Sequence, residues 1–269
     1  MVGGLVSYRL NSREKDKEVK DIKVLIQDSD FVGWPARLVT VFDNYQFDPS
    51  LKTGWGFSCL VKVGEQWILF DTGADSLILL ANMEKLKIDP AKIDIIVLSH
   101  IHDDHVGGLF GVLEENSKIQ VFLPVSFPKN FKDKIKSYGS KAVEVKESAK
   151  IADGVYSTGE LGAWIKEQSL IVETTQGLVI ITGCAHPGIV RIVEKTKEMF
   201  EKEVYLVLGG FHLGGASDSQ LKNIIASFRD LGVQKVAPCH CSGKRCRELF
   251  KQEYGQDYLE NGVGRVIDI

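Results

Sequence analysis

The sequence predicts an α/β fold in which two sheets pack face to face and helices cover both outer faces. Three observations lead there. Short apolar runs rich in β-branched residues alternate with amphipathic segments of helix length. In each half of the chain, hairpin signals come first and strand–helix alternation follows. Apolar sheet faces must be covered, and two packed sheets with helices outside both meet that demand. The two halves share this plan without a clear residue-level repeat.

The elements can be justified in order. Residues 11–21, "NSREKDKEVKD", are charged and read as the end of a solvated lead-in over residues 1–21. "IKVLIQD" (22–28) and "ARLVTVFD" (36–43) read as strands. "FSCLVKV" and "QWILFDTG", separated by "GE" at 64–65, read as a hairpin. "DSLILLANMEKLKI" (75–88) reads as a helix capped by Asp75 or Ser76. "IDIIVLSH" is a buried strand, and "VGGLFGVLEEN" is helical despite its glycines. The region 119–160 reads as short strands and turns. "LIVETTQGLVIITGC" is a second hairpin turning near "QG". "PGIVRIVEKTKEMF" is a helix with Pro187 in its first turn. "EVYLVLGGFH" is a strand followed by "DSQLKNIIASFRDLG", a helix that Asp218 would cap and Gly232 would end. "VQKVAPCH" is a strand, "SGKRCRELFKQEYG" a helix and "VGRVIDI" a terminal strand. No linker-like or low-complexity stretch divides the chain, so a single domain is expected over 22–269.

The bulk composition limits the function classes. The chain has 269 residues, 44% hydrophobic and 26% charged, ordinary values for a soluble globular protein. A net charge of -3 gives no general pull toward nucleic acid or anionic membrane. No apolar run approaches the roughly 18 residues that suggest a membrane span, and no signal-peptide pattern opens the chain. Five cysteines, an odd number, argue against a disulfide framework. The expected setting is a reducing cytoplasm, and the expected partner is a small molecule.

The chemistry-bearing residues are the six histidines. His100, His102, His105, His186, His212 and His240 all fall at or just beyond the ends of apolar strand-like runs. Strand ends are where ligand-binding loops gather. On extended chain, His100 and His102 point to one face and can meet one cation. Asp104 and His105 follow at a turn into a helix and would present to a neighbouring point. "SHIHDDH" therefore plans two adjacent metal sites. Imidazole with carboxylate favours zinc, with manganese or iron as alternatives. Asp103 occupies a spacer position. Cys184, Cys239 and Cys241 lie within two residues of His186 or His240. If the strands stay extended, Cys184 shares the face of His186, while Cys239 and Cys241 point away from that of His240.

"SHIHDDHVGG" resembles the H-x-H-x-D-H-x-G-G motif of the metallo-β-lactamase superfamily, and "FDTG" (70–73) resembles its preceding strand-end aspartate motif. The resemblance runs from about residue 22 to the end. It implies a four-layer αββα sandwich with a dinuclear centre in the cleft between the sheet edges. Carried onto this chain, it puts the first metal on His100, His102 and His186, and the second on Asp104, His105 and His240. Asp71 would orient the histidine loop. The chain departs from the family on one strand. Many hydrolytic members place a bridging aspartate there, where this sequence has "LVLGGFHLGG". His212 is thus a ligand, a proton carrier or a structural residue. "VFDNY", "GWGFSCLV", "GCAHPGI", "GGFHL" and "PCHCSG" are together similar to the 7,8-dihydropterin-6-methyl dihydropteroate synthase-like branch. Some archaeal members join a dihydropterin diphosphate to a ribofuranosyl-aminobenzene phosphate.

The expected activity is metal-dependent hydrolysis or group transfer on a phosphorylated or pterin-like small molecule. The alternatives are a generic hydrolase of phosphodiesters, thioesters or lactones, and a non-catalytic metal-binding relative. The acid charge disfavours a nuclease. Asp104, His212 and Asp71 are the expected catalytic side chains. Asp43 and Asn44 end a strand on the site side and could touch substrate, as could Trp55 and Phe211; Trp34 and Phe57 belong to the same aromatic set near glycine-rich loops.

Overall fold

The computed structural model describes residues 33–269. The expected strand at 22–28 and the charged lead-in lie outside the described residues. The first sheet has seven strands: β1 (Ala36–Asp43), β2 (Phe57–Val63), β3 (Gln66–Phe70), β4 (Ile95–Val97), β5 (Gln120–Pro124), β6 (Lys141–Val145) and β13 (Val266–Asp268), in the order β13-β1-β2-β3-β4-β5-β6. The second has six: β7 (Ala149–Ala152), β8 (Val155–Ser157), β9 (Leu170–Thr174), β10 (Gly177–Thr182), β11 (Val204–Gly210) and β12 (Lys235–Cys239), ordered β12-β11-β10-β9-β8-β7. Each sheet opens as an antiparallel meander and closes as parallel strands, β3 to β6 in one and β10 to β12 in the other. That is the hairpin-then-crossover order of the sequence. Parallel neighbours need crossovers, and helices supply them.

The helices are α1 (Ser76–Lys85), α2 (Asp103–Val106), α3 (Leu109–Glu115), α4 (Lys129–Ser137), α5 (Ile189–Met199), α6 (Asp218–Asp230) and α7 (Lys244–Tyr254). Three apolar layers separate the sheets and helices. Val179 and Ile181 of β10 join Phe57, Phe70 and Val97 between the sheets, while Ile180 faces α5 to α7. This period-2 alternation lets one strand serve two layers. On the other side, Leu69 and Ile96 pack against Leu79 and Met83 of α1 and Val112 of α3. Helix, sheet, sheet and helix make the αββα sandwich that the sequence predicts.

Several local expectations are corrected. The 119–160 region contains α4, whose Phe131 and Ile135 pack inward while its lysines stay mostly on the outer face. Pro187 precedes the α5 cap, Gly188, and lies outside the first turn. Ser217 caps α6 through a reciprocal box with Gln220; Asp218 sits in the first turn and pairs with Arg245. Of the two caps expected for α1, Asp75 is the one used: its side chain accepts from the Ile78 amide.

Candidate metal centre

The centre forms where β3, β4, β10, β11 and β12 end together. The chain turns sharply there. Asp71, Ala185, His212 and His240 all have left-handed backbones, with φ of 55°, 62°, 52° and 48°. Only one other described non-glycine residue, Lys87, shares that region. Such conformations are disfavoured for residues with a Cβ and persist where the surroundings impose them, often at functional sites. Gly183 is required for a different reason. A Cβ there would stand 2.1 Å from Ser99 Oγ and 2.9 Å from Asp71 Oδ2.

Four side chains hold the histidine rings from behind. Asp71 is fully buried and accepts from the Ser99 amide at 2.7 Å, the Ser99 hydroxyl at 2.6 Å and His105 Nδ1 at 2.7 Å. Ser99 Oγ in turn meets His100 Nδ1 at 2.9 Å. Glu167 accepts from the amides of Cys184, Ala185 and His186 and from His186 Nδ1 at 2.8 Å. Asn44 Oδ1 meets His240 Nδ1 at 3.0 Å. Each contact assigns the ring proton to Nδ1 and leaves the Nε2 lone pair free to bind a cation. His102, exposed at the mouth, brings its Nδ1 to 3.1 Å from His100 Nε2.

The free atoms converge in overlapping groups, each with its ligand atoms within 4.8 Å of one another: Asp104, His105, Cys184 and His240; His100, Cys184 and His186; His100, His102 and Asp104; and Cys184, His212 and Cys241. Rings of neutral imidazole, one carboxylate and soft sulfur fit a zinc-type cation. Burial, with the charge of neighbouring histidines, lowers His100 and His105 to about 3, so both are neutral near pH 7. Burial opposes ionisation of Asp104, but hydrogen bonding to His240 and nearby histidines hold it below the usual range. Burial likewise opposes Glu167, yet its bonds to His186 keep it at about 2. Burial raises Asp71 to about 7. Hydrogen bonding from Cys184, then His212, draws Cys241 down to about 5, and the same sharing pushes Cys184 up. A bound cation inverts this local order, because a coordinating thiol is deprotonated outright.

The expected ligands His100, His102, Asp104, His105, His186 and His240 are thus brought together, with Asp71 beneath them. Other expectations differ. Asp43 is fully buried, takes the Tyr45 amide at 2.7 Å and is raised by burial to about 6, so it does not face substrate. Asn44 turns its amide to His240. Phe211 is buried against Phe228 and Phe250 in the helical layer. Phe57 lies between the sheets, and Trp34 pairs with Thr174 at the far end of β9. Trp55 alone of these aromatics is at the site, 60% exposed, with its ring 5.0 Å from that of His240. His212 rests its ring 4.6 Å from His186 and lines a cleft of about 610 Å³ with Leu213, Ala216, Gln220, Asn223 and Ile224. Cys241 joins the cluster against expectation, because residues 240–242 form a 3₁₀ turn that ends the strand alternation. Sequence reasoning missed Glu167 and Ser99.

Fold and ligand set together define a class: the chain belongs to the metallo-β-lactamase superfamily, whose family profile matches residues 56–194. Among its relatives is the 7,8-dihydropterin-6-methyl-4-(beta-D-ribofuranosyl)-aminobenzene-5'-phosphate synthase of Methanocaldococcus jannaschii, 31% identical over 86% of this chain and 96% of its own length. An uncharacterized protein of the same organism is 30% identical over 80% of this chain and 93% of its own. The crystal structure of Tm1679, called a metal-dependent hydrolase of the beta-lactamase superfamily, has a TM-score of 0.73 at 29% identity, covering 87% of this chain and 99% of that one. YhfI of Bacillus subtilis shares the fold at 13% identity, with a TM-score of 0.67 over 88% of this chain and 100% of its own. No described helix is long and apolar enough to cross a membrane.

Proposed function

We propose that this chain is a metal-dependent enzyme that holds two divalent cations, zinc before manganese or iron, and acts on a phosphorylated, pterin-like small molecule in the cytoplasm. The observation that carries this reading is the convergence of five imidazoles and Asp104, four of the rings fixed from behind by Ser99, Asp71, Glu167 and Asn44. His100, His102 and His186 would hold one cation, and Asp104, His105 and His240 the other. Bound cations supply Lewis acidity toward an oxyanion and lower the pKa of water.

The remaining work falls to the chain itself. Asp71 and Glu167 keep the rings in the tautomer that presents Nε2. Trp55 offers an exposed aromatic face beside His240, suited to a flat ring. His212, at the rim between His186 and the adjoining cleft, is positioned to carry a proton to or from a substrate there. The pterin assignment draws on the name of the M. jannaschii relative; simple hydrolysis is the second reading, favoured by the name of Tm1679.

The test is to incubate metal-loaded protein with a dihydropterin diphosphate, with and without a ribofuranosyl-aminobenzene phosphate. Condensed product supports transfer, and diphosphate release without acceptor supports hydrolysis. Turnover confined to phosphodiesters, thioesters or lactones would overturn the pterin reading. Absence of turnover on the whole panel by protein loaded with zinc, manganese or iron would favour a metal-binding relative without catalysis.

A further inference from the structure

The strand where many relatives carry a bridging carboxylate, β11, ends at Gly210 and runs on into Phe211 and His212, with no acid among them. What stands between the two ligand sets is a sulfur. Cys184 Sγ lies 3.3 Å from His105 Nε2 and 3.4 Å from His240 Nε2. The same sulfur belongs with His100 and His186 in the neighbouring group. Cys184 is a member of three of the four converging groups, more than any histidine in the cluster.

The backbone that carries the sulfur is held in place. The Cys184 amide donates to Glu167 Oε1 at 2.9 Å, so the carboxylate that orients His186 also fixes Cys184. Before it comes Gly183, which has no room for a Cβ; after it comes Ala185 in the left-handed region. This backbone turns Cys184 and His186 inward together. The side chain is 4% exposed, so solvent does not compete for it. A packing role would be met by any small apolar residue, and would not need a sulfur set between two imidazole nitrogens.

We propose that Cys184 supplies, as a thiolate, the ligand that bridges the two cation positions in place of a carboxylate. The proposal rests on the metal-dependent reading of the site. When a cation binds, the S–H bond breaks, its proton leaves to solvent and its electron pair makes the sulfur–metal bond. A thiolate selects thiophilic cations such as zinc over magnesium, calcium or manganese, which prefer oxygen ligands.

Cobalt(II) chloride titrated into chelator-stripped protein tests this through absorbance, without reference to turnover. Wild type is expected to show visible ligand-field bands together with a near-ultraviolet sulfur-to-cobalt charge-transfer band. Cys184→Ser should keep the ligand-field bands and lose the charge-transfer band; Cys241→Ser should keep both. Cobalt bound by wild type without a charge-transfer band, or a band undiminished in Cys184→Ser, overturns the proposal and leaves the metal reading standing. No ligand-field bands in wild type overturn both. Should Cys184→Ser not fold, zinc-edge X-ray absorption on wild type decides: a sulfur shell at about 2.3 Å is expected, and a shell of nitrogen and oxygen alone refutes the bridge.

Discussion

Replacing Glu167 with glutamine keeps the shape of the side chain and removes its charge. Glu167 lies fully inside the protein and accepts four hydrogen bonds, from the amides of Cys184, Ala185 and His186 and from His186 Nδ1. Glutamine has one acceptor oxygen. Its NH₂ would face two N–H donors whose acceptor, among the described residues, is Glu167. Hydrogen bonds to a charged group contribute roughly 1.5–3 kcal/mol each, so losing two, with some relaxation, should cost about 3–5 kcal/mol of stability. The turn carrying Cys184 and His186 would loosen as well, and loss of such a supporting contact typically lowers metal affinity about 10–100-fold. Urea denaturation of chelator-stripped protein and a zinc competition titration read the two effects separately. A Glu167→Gln protein matching wild type in both would refute the argument that this carboxylate builds the site.

Other outcomes follow from the same geometry. Phe211→Ala should destabilise by about 3–5 kcal/mol, as a buried aromatic truncation does, whereas Trp55→Ala should barely change stability and should raise KM; equal melting temperatures for wild type and Phe211→Ala would contradict the core assignment. Gly183→Ala drives a methyl group against Ser99 and Asp71. It should cost about 1–3 kcal/mol and weaken zinc binding, checked by the same titrations. In chelator-stripped protein, the buried rings of His100 and His105 should withdraw stability on acidification. The folded pKa values of His100 and His105, about 3, lie below the ordinary 6.5, so the unfolded chain takes up protons that the folded chain refuses. Their contribution is complete above pH 6.5 and is lost as pH falls toward 3, at roughly 2.7 kcal/mol per pH unit for the pair between about pH 6 and 4. Asp71 and Asp43, raised by burial to about 7 and about 6, bind protons in the folded chain and offset this loss in a global denaturation profile. The ring contribution is therefore read by NMR titration of the individual imidazoles, and rings of His100 and His105 that take up protons near 6.5 would count against their burial as neutral groups.

Much of the centre is legible in the sequence because strand ends announce themselves. Apolar β-branched runs stop abruptly at His100, His186, His212 and His240, and "HIHDDH" places two ligands on extended chain and two on the following turn. The supporting residues are harder to read. Glu167 lies in "WIKEQS", an irregular stretch 19 residues before His186, and only the fold brings the two together. Ser99 was hidden by its neighbour His100. The errors have local causes too. Phe211 borders a glycine-rich strand end like a pocket residue, but alternation sends it into the helical layer while His212 goes to the site. Strand alternation carried past His240 would turn Cys241 away, but the positive φ of His240 and the 3₁₀ turn bring it back. α4 escaped because its sequence is dominated by lysines, and the apolar spacing of Phe131 and Ile135 is sparse.

The central claim is that two cations sit between His100, His102 and His186 on one side and Asp104, His105 and His240 on the other. A crystal structure of zinc-loaded protein, with anomalous scattering to locate the metal, tests it most directly. The account predicts two anomalous peaks at those ligand sets, with Cys184 Sγ bonded to both. A single peak at either set, or peaks that avoid the "HIHDDH" histidines, would contradict it.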